Sequence, residues 1–153
     1  MMRKKELILL SCLRNNARET LTSISKMTRI PISTIFDKLK EYESKFISKH
    51  TCLVDFKKLG YDIKIHLMIK IDKDRRDVFE NFIMNSPSVN NIYRINNGYD
   101  YFIEGIFRNI NEFQLFADRM ESFGVKEFDE HFVIDELKRE SFLSDKDYIE
   151  LIS

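Results

Sequence analysis

Apolar positions along the 153-residue chain keep a helical period up to about residue 46 and then alternate between strand-like and helical stretches. Before that point they recur at three and four residues. Leu7, Ile8, Leu10 and Leu13 form a helical stripe over residues 4–15. Leu21, Ile24 and Met27, spaced at three, predict a short helix around residues 19–27, with Thr20 as its cap. "TRIP" then turns the chain. Pro31 suits the start of a third helix, because its missing N–H would have no partner there. Ile35, Leu39 and Tyr42 give that helix one apolar face and leave Ser33, Thr34, Asp37, Lys38 and Glu41 on the other. Three short helices with a turn before the third make a helix-turn-helix pattern.

Beyond residue 46 strands enter the pattern. "FISKHTCLVDF" predicts a short strand leading out of the helical module. "YDIKIHLMIKID" alternates strictly, with Ile63, Ile65, Leu67, Ile69 and Ile71 on one face and Lys64, His66, Met68 and Lys70 on the other. "KDRRDVFENFIMNS" predicts a helix capped near Asp72 or Asp74, with Val78, Phe79, Phe82 and Ile83 inward. Pro87 ends it. "SVNNIYRIN" and "YDYFIEGIFR" are two strands joined at Asn97–Gly98, residues that tolerate positive φ. Asn109 followed by Glu112 has the spacing of a capping box and opens a helix carrying Phe113, Phe116, Met120 and Phe123. "VKEFDEHFVID" is the last strand.

The order from residue 62 is β-α-β-β-α-β, a ferredoxin-like arrangement. The fold class is therefore α+β. A winged helix-turn-helix module of three helices (1–50) precedes a linking strand and turn (51–61), the ferredoxin-like domain (62–137) and a C-terminal tail (138–153). The tail's sparse apolar pattern fits either a late-packing helix or a frayed end. Two helices cover only one face of a four-stranded sheet. The other face, with His66, Met68 and Ile92, is half apolar and is expected to be buried by a partner such as a second copy.

Charge divides the chain along the same line. The net charge is zero overall, but residues 1–50 carry +6 and residues 51–153 carry −6. The basic third coincides with the helix-turn-helix pattern, and the split suggests two modules with different partners. Cys12 and Cys52 sit in apolar stretches and are expected to be buried free thiols. His50, His66 and His131 have no metal-ligand spacing, so no metal or cofactor is expected. No apolar run reaches the roughly 18 residues of a membrane span, and a cytoplasmic location is expected.

The segments "SISKMTRIPISTIFDKLKEYE", "FISKHTCLVDFKKLGYDI" and "SPSVNNIYRINNGYDYFIEG" occur in an order and spacing that resemble the Lrp/AsnC family of transcription regulators, over roughly residues 4–137. The resemblance implies a sequence-specific regulator of double-stranded DNA that forms a dimer or larger homo-oligomer. It also implies an amino-acid or similar effector held near the hairpin, at Asn97, Gly98, Tyr99 and Asp100. The family's glycine normally stands one position earlier, where this chain has Asn97, so effector binding is open to alteration.

For DNA, the candidate phosphate contacts are Lys26, Arg29, Lys38, Lys40, Lys45 and Lys49. Ser33, Thr34 and Lys38 are the candidates for base edges. Asp37 and Glu41 stand where the family commonly has basic residues. Asp37 suits cytosine N4, and Glu41 suits an ion pair with Lys38. Arg29 replaces the family's turn glycine. These departures predict weaker DNA binding than in a typical member. They leave a rival reading, a co-regulator that oligomerises with a DNA-binding paralogue. No clustered nucleophile, base and oxyanion donor can be argued from spacing, so no enzyme is expected. The ferredoxin-like part is too acidic for an RNA-recognition module.

Overall fold

The computed structural model describes residues 4–145 and Ile149. The chain divides into two compact units. One runs through Leu53 and includes the segment from Leu137 onward; the other is Val54–Glu136.

The first unit is built on three helices, α1 (Lys4–Asn15), α2 (Leu21–Thr28) and α3 (Ile32–Lys45). Leu9, Cys12, Ile24, Ile35 and Tyr42 form its core, the one face that each helix's periodicity supplies. The Thr20 hydroxyl accepts the Ser23 N–H, so α2 begins at Leu21, two residues later than the pattern predicts. Arg29 closes α2 with φ 58 and ψ 30. This left-handed residue explains why a glycine is the usual choice at such a turn. The turn is stitched by the Ser25 hydroxyl donating to the Ile30 carbonyl at 2.6 Å and the Thr28 hydroxyl donating to Ile24 at 2.8 Å. Pro31 precedes α3 without a side-chain cap.

Two expectations fail beyond α3. Residues 47–55 contain no strand, so the "FISKHTCLVDF" segment and the wing it implied are irregular here. An isolated strand has no ladder to satisfy its backbone, and among the described residues of this unit there is no strand to supply one. Cys12 is buried as expected, but Cys52 is exposed. In the tail, Arg14 donates to the Glu140 carbonyl at 3.1 Å and to its carboxylate at 3.2 Å, which ties this segment to α1. Most of the tail's end, expected as either a helix or a fray, lies outside the described residues.

The second unit is an antiparallel sheet in the order β2-β3-β1-β4, from β1 (Ile63–Ile71), β2 (Val89–Arg94), β3 (Tyr101–Phe107) and β4 (Val125–Phe132). Helices α4 (Arg76–Met84) and α5 (Ile110–Glu121) supply the apolar faces that complete its core. Ile65, Leu67, Ile69 and Ile71 meet Phe79, Ile83, Phe113, Phe116 and Met120 there. The alternation read in β1 is observed. Gly105 sits on this buried face, where a Cβ would come within 2.6 Å of the Phe107 ring. At α5 the Asn109 side chain accepts the Glu112 N–H at 3.0 Å, and the Glu112 carboxylate accepts the Arg108 N–H at 2.7 Å.

Three details differ from the sequence reading. Ile92 pairs in register with Ile103 and packs against the helix-covered core, not on the open face. A register shift between Val89 and Asn91 moves the alternation by one. Val78 is exposed, because the helical stripe that meets the sheet is carried by Phe79, Phe82 and Ile83. Neither Asp72 nor Asp74 caps α4 with its side chain, since a 3-10 turn, Lys73–Arg75, intervenes. Asp72 instead pairs with Lys126 at 2.5 Å. The open sheet face carries Met68, Phe102 and Tyr93, with the His66 ring 5.0 Å from Phe102. At its centre Glu104 is held by His66 at 3.2 Å and by Asn91 at 3.1 Å. No helix among the described residues is long and apolar enough to cross a membrane.

Candidate nucleic-acid interface and ligand cleft

Helix α3 turns Ile35 and Tyr42 into the core and leaves Ser33, Thr34, Asp37 and Lys40 in solvent. Lys26, Arg29 and Lys49 are also exposed. Lys38 is not where the pattern put it. Its ammonium lies 2.9 Å from Glu6 on α1 and 3.0 Å from Glu41, so it bridges two helices. Hydrogen bonding to Glu6, then to Glu41, raises its pKa and keeps it charged. Glu41 forms the expected local pair with Lys38 and a second with Lys45 at 3.0 Å. The Lys45 hydrogen bond, then that of Lys38, pulls its carboxyl below the ordinary range.

The reason is geometric. Position 38 lies three residues after Ile35 and one before Leu39, at the margin of the buried stripe, where a long side chain reaches across to a neighbouring helix. Glu6 is remote in sequence, and no local pattern could have named it. The α3 surface also holds a residue that sequence reading passed over. Phe36 is 48% exposed, and the Lys40 ammonium lies 4.5 Å from the centre of its ring. Its position next to Ile35 in an amphipathic helix was the available signal.

In the second unit, a cleft of about 610 Å³ opens where β1 ends and β3 begins. Lys70, Asp72, Lys73, Asp74 and Arg76 line it, with Gly98, Tyr99 and Asp100 from the hairpin and Lys126 from β4. Three of the four hairpin residues singled out in the sequence therefore come together in it. Asn97 does not line the cleft; it shares the turn with Gly98, both at positive φ. Asp100 is engaged within the fold. One carboxylate oxygen accepts the Ile71 N–H at 3.0 Å, and the other accepts from Arg76. The Ile71 hydrogen bond outweighs burial, and with Arg76 it holds this carboxyl below the usual range. The Tyr99 hydroxyl donates to Asp129, whose carboxylate raises the phenol's pKa.

Lys73 and Asp74 are exposed at the rim. The cleft thus offers both signs of charge, and a small zwitterion is the ligand class such a lining suits. Among the described residues no group of His, Cys, Asp and Glu is arranged to hold a metal.

Comparison with known proteins gives a consistent picture. The model of the Lrp/AsnC ligand binding domain matches residues 65–143. The regulator FL11 of Pyrococcus furiosus, an HTH-type transcriptional regulator, is 27% identical over 115 residues, covering 74% of this chain and 76% of that protein. Another HTH-type transcriptional regulator, from Pyrococcus horikoshii, is 30% identical over 109 residues, covering 68% of this chain and 72% of its own. Among solved structures, a transcriptional regulator from Neisseria meningitidis in complex with L-methionine superposes with a TM-score of 0.85 at 22% identity, over 91% of this chain and 94% of that one.

Proposed function

The chain belongs to the Lrp/AsnC family of transcriptional regulators, and on that premise we propose that it binds double-stranded DNA through α3 as a homodimer or larger assembly. The observation that carries this reading is the outward presentation of Ser33, Thr34, Asp37 and Lys40 on the helix that follows the turn, in the part of the chain with a charge of +6. A recognition helix uses its N-terminal residues on base edges, while flanking cations meet phosphate. Lys26, Arg29 and Lys49 serve the phosphates. Lys38 is assigned to holding α1 and α3 together instead of to a base. The half-apolar open face of the sheet, with Met68, Tyr93 and Phe102, is the surface that a second copy covers.

For the effector, the cleft beside Gly98, Tyr99 and Asp100 takes an amino acid or a similar zwitterion. Lys73 and Lys70 face its carboxylate and Asp74 its ammonium, while Asp100 shapes the site through Arg76. The methionine complex of the Neisseria protein supports the ligand class.

Selection from a pool of random duplexes at two salt concentrations tests the DNA reading. The expected result is an enriched, roughly palindromic site whose affinity falls steeply with salt. Failure to enrich any site refutes it. It would favour the co-regulator alternative, to which the exposed Asp37 and the internally neutralised Lys38 lend weight. A thermal-shift screen of free amino acids tests the cleft: a ligand-dependent rise supports it, and a flat screen overturns that half alone.

A further inference from the structure

We propose that Phe36 reads the 5-methyl group of a thymine in the DNA site, an inference that rests on the DNA-binding reading above. Helix α3 divides cleanly at its N-terminal half. Ile35 is fully buried among Leu9, Ile24 and Tyr42, whereas Phe36, one residue and about 100° further around the helix, projects into solvent. It takes no part in the core of its unit. The helical repeat places Ile32, Phe36 and Lys40 in one row, with Ser33 and Asp37 in the next row. Ile32 at 46% and Phe36 at 48% are the exposed apolar groups of this row, and Phe36 is the larger and the nearer to the middle of the surface that a major groove would meet. Lys40 lies over its ring at 4.5 Å, and the residue keeps 48% of its surface in solvent.

The occupant follows from the chemistry of the groove. Every base edge there offers a hydrogen-bond donor or acceptor, and thymine alone adds a methyl group. A phenyl ring can satisfy no donor or acceptor, and it gains by covering a methyl. Ser33, Asp37 and Lys40, on either side of it, are the groups able to hydrogen-bond flanking bases. Asp37 in particular accepts from cytosine N4. The enriched site is thus expected to hold a thymine under Phe36 with polar readout beside it.

The test replaces each thymine of the enriched site, one at a time, by deoxyuridine, which removes the methyl and keeps the pairing and the hydrogen-bonding edge. Binding of the full-length protein is measured with and without Phe36→Ala. The expected result is a loss of about fourfold at one thymine, the worth of one buried methyl group. That loss should disappear in the Phe36→Ala protein, while deoxyuridine elsewhere is neutral for both. The deoxyuridine scan on the unaltered protein needs no variant to fold. A scan that is flat at every thymine of an enriched site overturns the role of Phe36 and leaves the DNA-binding reading standing. So does a methyl dependence that persists unchanged in Phe36→Ala. If no site is enriched in the first place, the DNA-binding reading fails and this inference falls with it.

Discussion

Replacing Asp100 by Ala tests whether this hairpin carboxylate belongs to the scaffold or directly to a ligand. Asp100 is 20% exposed and joins three segments. It accepts the Ile71 N–H at the end of β1, receives Arg76 at the start of α4, and opens β3 in the chain. Hydrogen bonds to a charged group contribute about 1.5–3 kcal/mol each when the partner is left stranded. Ile71 is 4% exposed with the carboxylate in place, so its N–H relies on that acceptor. The Arg76 side chain is 42% exposed, so solvent screening limits its share to about 1 kcal/mol. The expected loss is about 2–3 kcal/mol.

Urea unfolding followed by far-UV circular dichroism measures it, with the midpoint falling by about 1 M for a slope near 2 kcal/mol/M. Asp100→Asn keeps an acceptor for Ile71 and loses only the arginine, so it is expected to cost about 1 kcal/mol. The pH dependence follows from the lowered pKa of Asp100. The carboxylate's stabilisation is complete above its unfolded range, about pH 4, and is lost as pH falls through the lower folded value. The unaltered and Ala proteins should therefore converge in acid. A loss below about 0.5 kcal/mol at neutral pH, the level of an ordinary surface substitution, would refute the scaffold role.

Other contacts make further outcomes testable. The Tyr42 hydroxyl is buried without a hydrogen-bond partner among the described residues, so Tyr42→Phe should be neutral or stabilising by up to about 1 kcal/mol in thermal or urea unfolding. Glu80 accepts the hydroxyl of the buried Tyr101 at 2.5 Å and both Nε and Nη2 of Arg94, so Glu80→Ala should destabilise by about 1–3 kcal/mol in the same assay. Burial, then the Glu80 hydrogen bond, pushes Tyr101 up to about 12. Its contribution is whole below about pH 10 and is lost as pH rises from there through about 12, which phenolate absorbance would follow. On DNA, Lys40→Ala should weaken binding and alter the preferred site or the salt slope, whereas Lys38→Ala should leave the preferred bases unchanged; a shifted base preference in the latter would return Lys38 to the groove.

Elements with local signals were legible in the chain alone. The alternation of Ile63 to Ile71, the 3- and 4-residue spacing of Ile35, Leu39 and Tyr42, the Thr20 and Asn109 caps and the Asn97–Gly98 turn each rest on residues a few positions apart. From their order the α+β arrangement followed. Which neighbours each side chain finds was fixed by the folded arrangement. Lys38 was legible as a cation on a helix, but not as the partner of Glu6, 32 residues away. Asp100 was legible as a hairpin residue, but not as the acceptor for Ile71, 29 residues away. The register shift before Asn91 turned Ile92 inward, and the absence of a pairing partner left residues 47–55 without a strand. The physical reason is the same throughout. Period, caps and turns are set by backbone geometry over one or two turns of chain, whereas charge pairing, ladder register and side-chain exposure depend on which distant segments folding brings within a few ångströms.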